Sequence, residues 1–268
     1  MDGTTASTGV RAGAPDGGEA ERVAEVARSA RRADDEAGRR GVRRVHRISV
    51  AAGAVMLALV LVTSVSSPSP CGDLSARYPP IVAFELARSE RDLRAVFGDG
   101  RRRALRCRQT LIRSMDTVNT VDLAVFMPAY GLFLIAALIG LRRRGYRIAI
   151  VGVGFTGLAL VADVIENVCM LGLTPRLDPT STWMAILPWA TGVKWLALGA
   201  VGAVAALALG RGARRHRVSA AVCLVTPIAT VAAIVRPHDF GPVVASGMAA
   251  SWAILLLDGL TQAFVRVE

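Results

Sequence analysis

Lysine is almost missing from this chain. Among 268 residues with 32 Lys+Arg, only Lys194 is a lysine; every other cationic side chain of that set is arginine. Histidine is scarce as well, and His46, His216 and His238 stand apart, each near the boundary of an apolar run. The four cysteines fall at 71, 107, 169 and 223, and no His or Cys pair has the spacing of a zinc site. Neither G-x-S-x-G nor H-E-x-x-H occurs, which removes the serine-hydrolase elbow and the zinc-protease helix from consideration. Long stretches also lack charge of any sign, and that absence organises everything else.

Apolar side chains are abundant: 53% of residues are hydrophobic against 20% charged, with mean hydropathy +0.44. A chain this apolar cannot be disordered over most of its length. A soluble domain of this size would spread its charges, whereas here arginines come in bursts between uncharged runs. A membrane helix needs about 20 apolar residues to cross about 30 Å of hydrocarbon. Six segments qualify: 48–65, about 120–141, about 148–173, about 183–209, 218–235 and 241–260, the last being the weakest. The expected fold is therefore all-α, a polytopic membrane bundle of about six helices.

Arginine placement orients the spans. Arg39, Arg40, Arg43, Arg44 and Arg47 precede span one; Arg142, Arg143, Arg144 and Arg147 separate spans two and three; Arg211, Arg214, Arg215 and Arg217 separate spans four and five. The alternate connections carry only Arg176 and Arg236. The positive-inside rule then puts both termini in the cytoplasm, in a plasma (inner) membrane. The expected partners are the bilayer and its anionic headgroups, with about 1 kcal/mol gained per arginine near such lipid. This accounts for the net charge of +11 without nucleic acid. Tyr146 and Trp183 fall at expected interfaces.

Residues 1–46 read as a disordered basic cytoplasmic tail, poor in large apolar groups. A short helix over Glu19–Ala33 is the weaker alternative. Span one reads as a retained signal anchor, since its basic approach is far longer than a secretory n-region. Pro70 before Cys71 argues against a lipid-modified cysteine. The connection 67–118 is an amphipathic outer helical loop, with Val82, Leu86, Leu93 and Phe97 on one helical face and Leu105, Ile112 and Met115 following. These helices are expected on the outer face of the bundle or at the lipid boundary. The loop is rich in arginine, including Arg101, Arg102 and Arg103, partly balanced by Asp73, Glu85, Glu90, Asp92, Asp99 and Asp116. Cys71 and Cys107 share this loop, and a disulfide between them stays open, because sequence does not set their distance. Cys169 and Cys223 read as packing residues.

Gly152, Gly154 and Gly157 form G-x-G-x-x-G after RIAIV. A dinucleotide fold would need an acid about 20 residues on, and none is there. The glycines read instead as small residues for close helix approach. No cofactor and no metal is expected.

The informative group lies in span three, where Asp163, Glu166 and Asn167 share one helical face. An ionisable group at membrane depth costs at least a few kcal/mol unless it is paired or hydrated. Two ionised carboxylates on one face repel, so the face calls for a shared proton or a cation. Lys194 is the candidate cation. At about 1.5 Å per residue, Asp163 lies roughly 15 Å from the outer end of its span, and Lys194 roughly 16 Å from that of the next. Asp122 and Tyr130 on span two complete the candidate polar network, although Asp122 equally fits a helix N-cap or a water-facing position. Asp258 is expected to meet interfacial water. Pro128, Pro188 and Pro227, if they kink their helices, would open a cleft toward the outside. No inverted repeat is evident.

Phe84-Glu85-Leu86-Ala87, then Asp122 with Phe126 and Tyr130, then Ala162-Asp163 with Glu166-Asn167, then Lys194-Trp195 resemble the pattern of an uncharacterised group of bacterial multi-pass membrane proteins. The resemblance covers about 80–200 and implies no established activity. Three readings remain: a buried network that is structural or binds a small polar ligand or ion; a solute or ion-coupled transporter; and a membrane enzyme acting on lipid or headgroup, with the carboxylates as acid and base. The sequence carries no enzyme signature that would favour the third.

Overall fold

A computed structural model describes residues 17–66, 69–74, 79–99, 105–211 and 214–264. The expected tail up to residue 16 and Arg101–Arg103 lie outside the described residues. Everything described is helix or connection, with no strand. The elements are α1 (Gly17–Ser66), α2 (Pro80–Glu85), α3 (Glu90–Phe97), α4 (Leu105–Val121), a π-helical turn (Asp122–Phe126), α5 (Met127–Arg143), α6 (Ala149–Leu173), α7 (Thr182–Gly210), α8 (Arg214–Val235) and α9 (Pro237–Phe264). Six helical stretches are long and apolar enough to cross a membrane: Ala24–Thr63, Leu105–Arg143, Ala149–Leu173, Thr182–Gly210, His216–Val235 and Asp239–Phe264. The weakest expected span, 241–260, is thus a full-length helix.

Three expectations need correcting. The tail is not disordered where it is described, because α1 starts at Gly17. Its Ala, Glu and Arg residues are strong helix formers, and propensity outweighs the lack of a core. The described residues 17–42 belong to a separate unit, and their described side chains are mostly exposed. Second, 80–98 is not one amphipathic helix. Ser89 starts a new helix by accepting a hydrogen bond from Asp92 N at 3.3 Å, while Asp92 Oδ2 accepts from Ser89 Oγ at 2.9 Å and from Arg88 N at 2.8 Å. Third, the 105–115 stretch does not lie apart from the bundle; α4 continues through the π turn into α5, making one unbroken span with it.

The segment from Arg43 onward has two apolar cores. One lies within the bundle and joins Met56, Phe133, Leu134, Leu138, Leu198, Val204 and Met248. The other lies at the end where α6 stops and α7 begins. There Phe84 and Phe97 pack edge to face at 5.0 Å, over Met170, Leu173, Met184 and Leu187. The apolar sides of α2 and α3 therefore bury against protein and not at a lipid boundary. Cys71 and Cys107 are disulfide-bonded, with Cα atoms 5.8 Å apart, which ties this cap to the start of α4. Arg88 Nη2 donates to Ile234 O at 2.7 Å, fastening it to the end of α8.

The sequence RIAIV-GVGFTG is helix rather than strand and turn. Of its glycines only Gly152 is required by packing: a Cβ there would come 2.8 Å from Leu138 Cδ2 and 3.2 Å from Val204 Cγ1. Gly154 and Gly157 face open space. Asp258 does not rest on interfacial water alone, since Arg144 Nη1 donates to its Oδ2 at 2.6 Å between partly buried side chains. His46 is buried against Gly140, where an added Cβ would lie 2.5 Å from the imidazole Cε1.

Candidate functional site

Helix geometry fixes which side chains of α6 face inward. Asp163, Glu166 and Asn167, at spacings of three and four, are all buried on the side packed against α5 and α7. From α7, Lys194 enters the same space. Its ammonium donates to Glu166 Oε1 and lies 3.5 Å from Asp163 Oδ1. The lysine thus serves both acids of α6, and Glu166 is the nearer.

The π turn supplies the third side. Pro128 has no N–H, and its ring would press on the carbonyl of residue 124 in a regular α-helix. The chain widens just before it, and Met127 N–H bonds to Asp122 O, one residue further back than α-helical pairing would place it. Asp122 sits in this turn and accepts from Asn167 Nδ2 at 2.6 Å. No helix begins at Asp122, so the expected N-cap role is overturned. Two turns on, Tyr130 donates its phenol to Asp163 Oδ2 at 2.6 Å. Asn167 Nδ2 also lies 3.2 Å from Asp163 Oδ1.

Glu85 is the member that sequence reasoning left out, having counted it only as a balancing acid of the loop and as part of the resemblance. It ends α2, and its Oε2 lies 3.1 Å from Lys194 Nζ. Thr191 Oγ1 donates to the Glu85 carbonyl at 2.9 Å, pinning α2 to α7. Burial pushes the Glu85 carboxyl above the ordinary carboxylate range, against the opposing pull of Lys194. The available signal was its setting in Ile81-Val82-Ala83-Phe84-Glu85-Leu86-Ala87, a carboxylate inside an otherwise apolar run. A group so placed either faces a partner or breaks the helix's burial.

These groups line one wall of a cavity of about 310 Å³. Glu85, Asp122, Asp163 and Lys194 face it, whereas Glu166 and Asn167 stand behind them. Trp252 of α9 forms the opposite aromatic wall, stacked on Tyr130 at 5.6 Å and 6.4 Å from Phe126. Leu59, Val60, Val82 and Met248 supply apolar surface. Pro128, Pro188 and Pro227 do not line the cavity. The expected cleft at those prolines is therefore not this cavity, whose lining includes Pro79, Ile81, Val82 and Glu85 at α2. Among the described residues no group of His, Cys, Asp and Glu is arranged to hold a metal ion.

The chain matches no family model, no curated protein and no solved structure. Its reading therefore rests on the cavity itself. Chemically, the site offers four carboxylates, one ammonium, one phenol and one amide next to aromatic and aliphatic surface. That composition suits the recognition of a small molecule with a polar end and an apolar body.

Proposed function

We propose that this is a multi-pass membrane protein that binds a small ligand in the acid-lined cavity between α2, α4–α5, α6, α7 and α9. One observation carries the reading. Three of the four carboxylates, the half-buried Glu85 and Asp122 and the buried Asp163, line the cavity with Lys194 and do not face each other alone. A purely structural ion pair would be packed on all sides, as Glu166 is. Buried charge costs stability unless it is fully paired, so charged groups lining a cavity support a role in contacting a ligand.

The membrane in question is the bacterial plasma membrane, with N- and C-termini in the cytoplasm. The arginine clusters before Ile48, at 142–147 and at 211–217 support this, as sites for anionic headgroups. The Cys71–Cys107 disulfide supports it independently, because such bonds persist in an oxidising compartment. The cavity, next to the same cap, would then be reached from the outer side. Cysteine labelling by a membrane-impermeant maleimide tests orientation: a cysteine placed at Thr180 is labelled in intact cells, and one placed at Gly145 is not.

Native mass spectrometry of the detergent-purified full chain tests the ligand site. The wild-type protein is expected to carry a small-molecule adduct, and Ala245→Phe, which fills the cavity wall, to lose it while keeping its helicity. Wild-type protein that emerges bare, or an adduct equally retained by Ala245→Phe, overturns the reading.

A further inference from the structure

We infer that the ligand is a protonated primary or secondary amine carried on a compact apolar body. This inference rests on the ligand-site reading above and specifies its chemistry.

Hydrogen-bond supply and demand point there first. The carboxylates of Glu85, Asp122, Asp163 and Glu166 are acceptors only when ionised. The Tyr130 hydrogen is already given to Asp163, and the Asn167 amide to Asp122 and Asp163. Lys194 is surrounded by Glu85, Asp163 and Glu166. Glu166 Oε2 accepts no hydrogen bond but stands behind the cavity wall, whereas on the wall Glu85 Oε2 lies 3.1 Å from Lys194 Nζ and Trp195 Nε1 has no hydrogen-bond partner. Glu85, Asp122 and Asp163 face the cavity as acceptors against the single ammonium of Lys194, and a ligand ammonium brings up to three N–H donors to them.

Charge points the same way. Three carboxylates and one ammonium line the cavity, so when those acids are ionised its wall is short of positive charge. A second cation offsets that repulsion; an anion would add to it, despite Lys194. Trp252, Tyr130 and Phe126 line the same cavity and offer aromatic surface for cation–π attraction to that charge. Leu59, Val60, Val82 and Met248 receive the apolar body. At about 310 Å³ the cavity is at the small end of ligand pockets, enough for one ring or a short chain and too small for a two-chain lipid. The ammonium therefore belongs to a free lipophilic amine, or to a headgroup whose acyl chains stay in the bilayer.

The test is a charge series on the full chain in a neutral maltoside detergent. The probes are 2-phenylethylamine, its trimethylammonium analogue, 2-phenylethanol and 3-phenylpropanoate, read by thermal shift and tryptophan fluorescence. The amine is expected to bind tightest, about tenfold or more above the alcohol, as a charged hydrogen bond warrants. The trimethylammonium analogue, which lacks N–H donors, falls between them, and the carboxylate is weakest. Asp122→Asn is expected to weaken the amine about tenfold and to leave the alcohol unchanged. Should that variant misfold, the wild-type series decides alone. Equal binding of alcohol and amine, or a preference for the carboxylate, sinks the amine inference while the ligand site stands. Failure of all four probes removes both. Displacement of the amine by dihexanoylphosphatidylethanolamine assigns the ammonium to a lipid headgroup; its failure to displace assigns it to a free amine.

Discussion

Tyr130 and Asp163 meet across neighbouring helices through one short hydrogen bond, the phenol donating to Oδ2 at 2.6 Å with both side chains buried. Both residues line the cavity, and Trp252 stacks on the Tyr130 ring, so the contact also positions the aromatic wall. Tyr130→Phe keeps the ring and removes the donor. A hydrogen bond to a charged group contributes about 1.5–3 kcal/mol, so reversible unfolding in mixed micelles should show a loss of that size. A change below about 0.5 kcal/mol would mean that Asp163 does not depend on this donor.

Lys194 holds three acids, and Glu166 most closely. Lys194→Met leaves uncompensated buried charge and should cost about 3–5 kcal/mol. Adding Glu166→Gln should recover a large part of that loss, and Asp163→Asn less. A double-mutant cycle measures the difference, since residues in contact couple by about 0.5–3 kcal/mol. A larger coupling to Asp163 than to Glu166 would contradict the geometry.

Removing the disulfide should free the cap. The bond spans a sequence separation of 36. Loop-closure entropy for a ring of that length is about 4 kcal/mol, an upper figure for Cys71→Ser. Non-reducing gel mobility should change in Cys71→Ser, Cys107→Ser and the double variant alike. Unchanged stability in all three would show that the cap is held by its apolar core alone.

Gly152 and its companions separate close packing from chance. Gly152→Ala places a methyl against the side-chain ends of Leu138 and Val204, which must shift, and should be less stable than Gly154→Ala or Gly157→Ala. Gly154→Ala and Gly157→Ala meet nothing and should be neutral or stabilising by up to about 1 kcal/mol, as alanine favours helix. Thermal unfolding of the three variants tells them apart.

Glu85 predicts the sign of one pH effect. Burial raises its folded value above the ordinary 4.5, although Lys194 opposes the shift and Asp163 adds to it. The folded chain therefore keeps this proton to higher pH than the unfolded chain does. Its contribution to stability is full below about 4.5 and declines as pH rises through the raised folded value. Glu85→Gln should flatten that part of the stability–pH curve. A steeper curve in the variant would reverse the assignment.

Some of this was legible in the one-dimensional pattern. Uncharged runs of about 20 residues can only be helices in a bilayer, where every backbone polar group must be satisfied within the segment. Period 3.6 put Asp163, Glu166 and Asn167 on one face, and equal depth brought Lys194 to that level. Other features depended on contacts between segments far apart in the chain. Asp122 turned inward because a π turn relieves Pro128, and helical periodicity assumes no such turn.

Glu85 joined the site because α2 folds into the bundle end, and Trp252 because α9 returns beside α5. Apolar periodicity marks a face for burial but does not say against what, so α2 and α3 read equally well as lipid-facing. Sequence by itself determined that six long apolar helices form and which of them carry ionisable groups, because the cost of polarity in oil acts locally. The tertiary structure decided which charges meet and where a cavity remains between them, because pairing and voids depend on how distant helices pack.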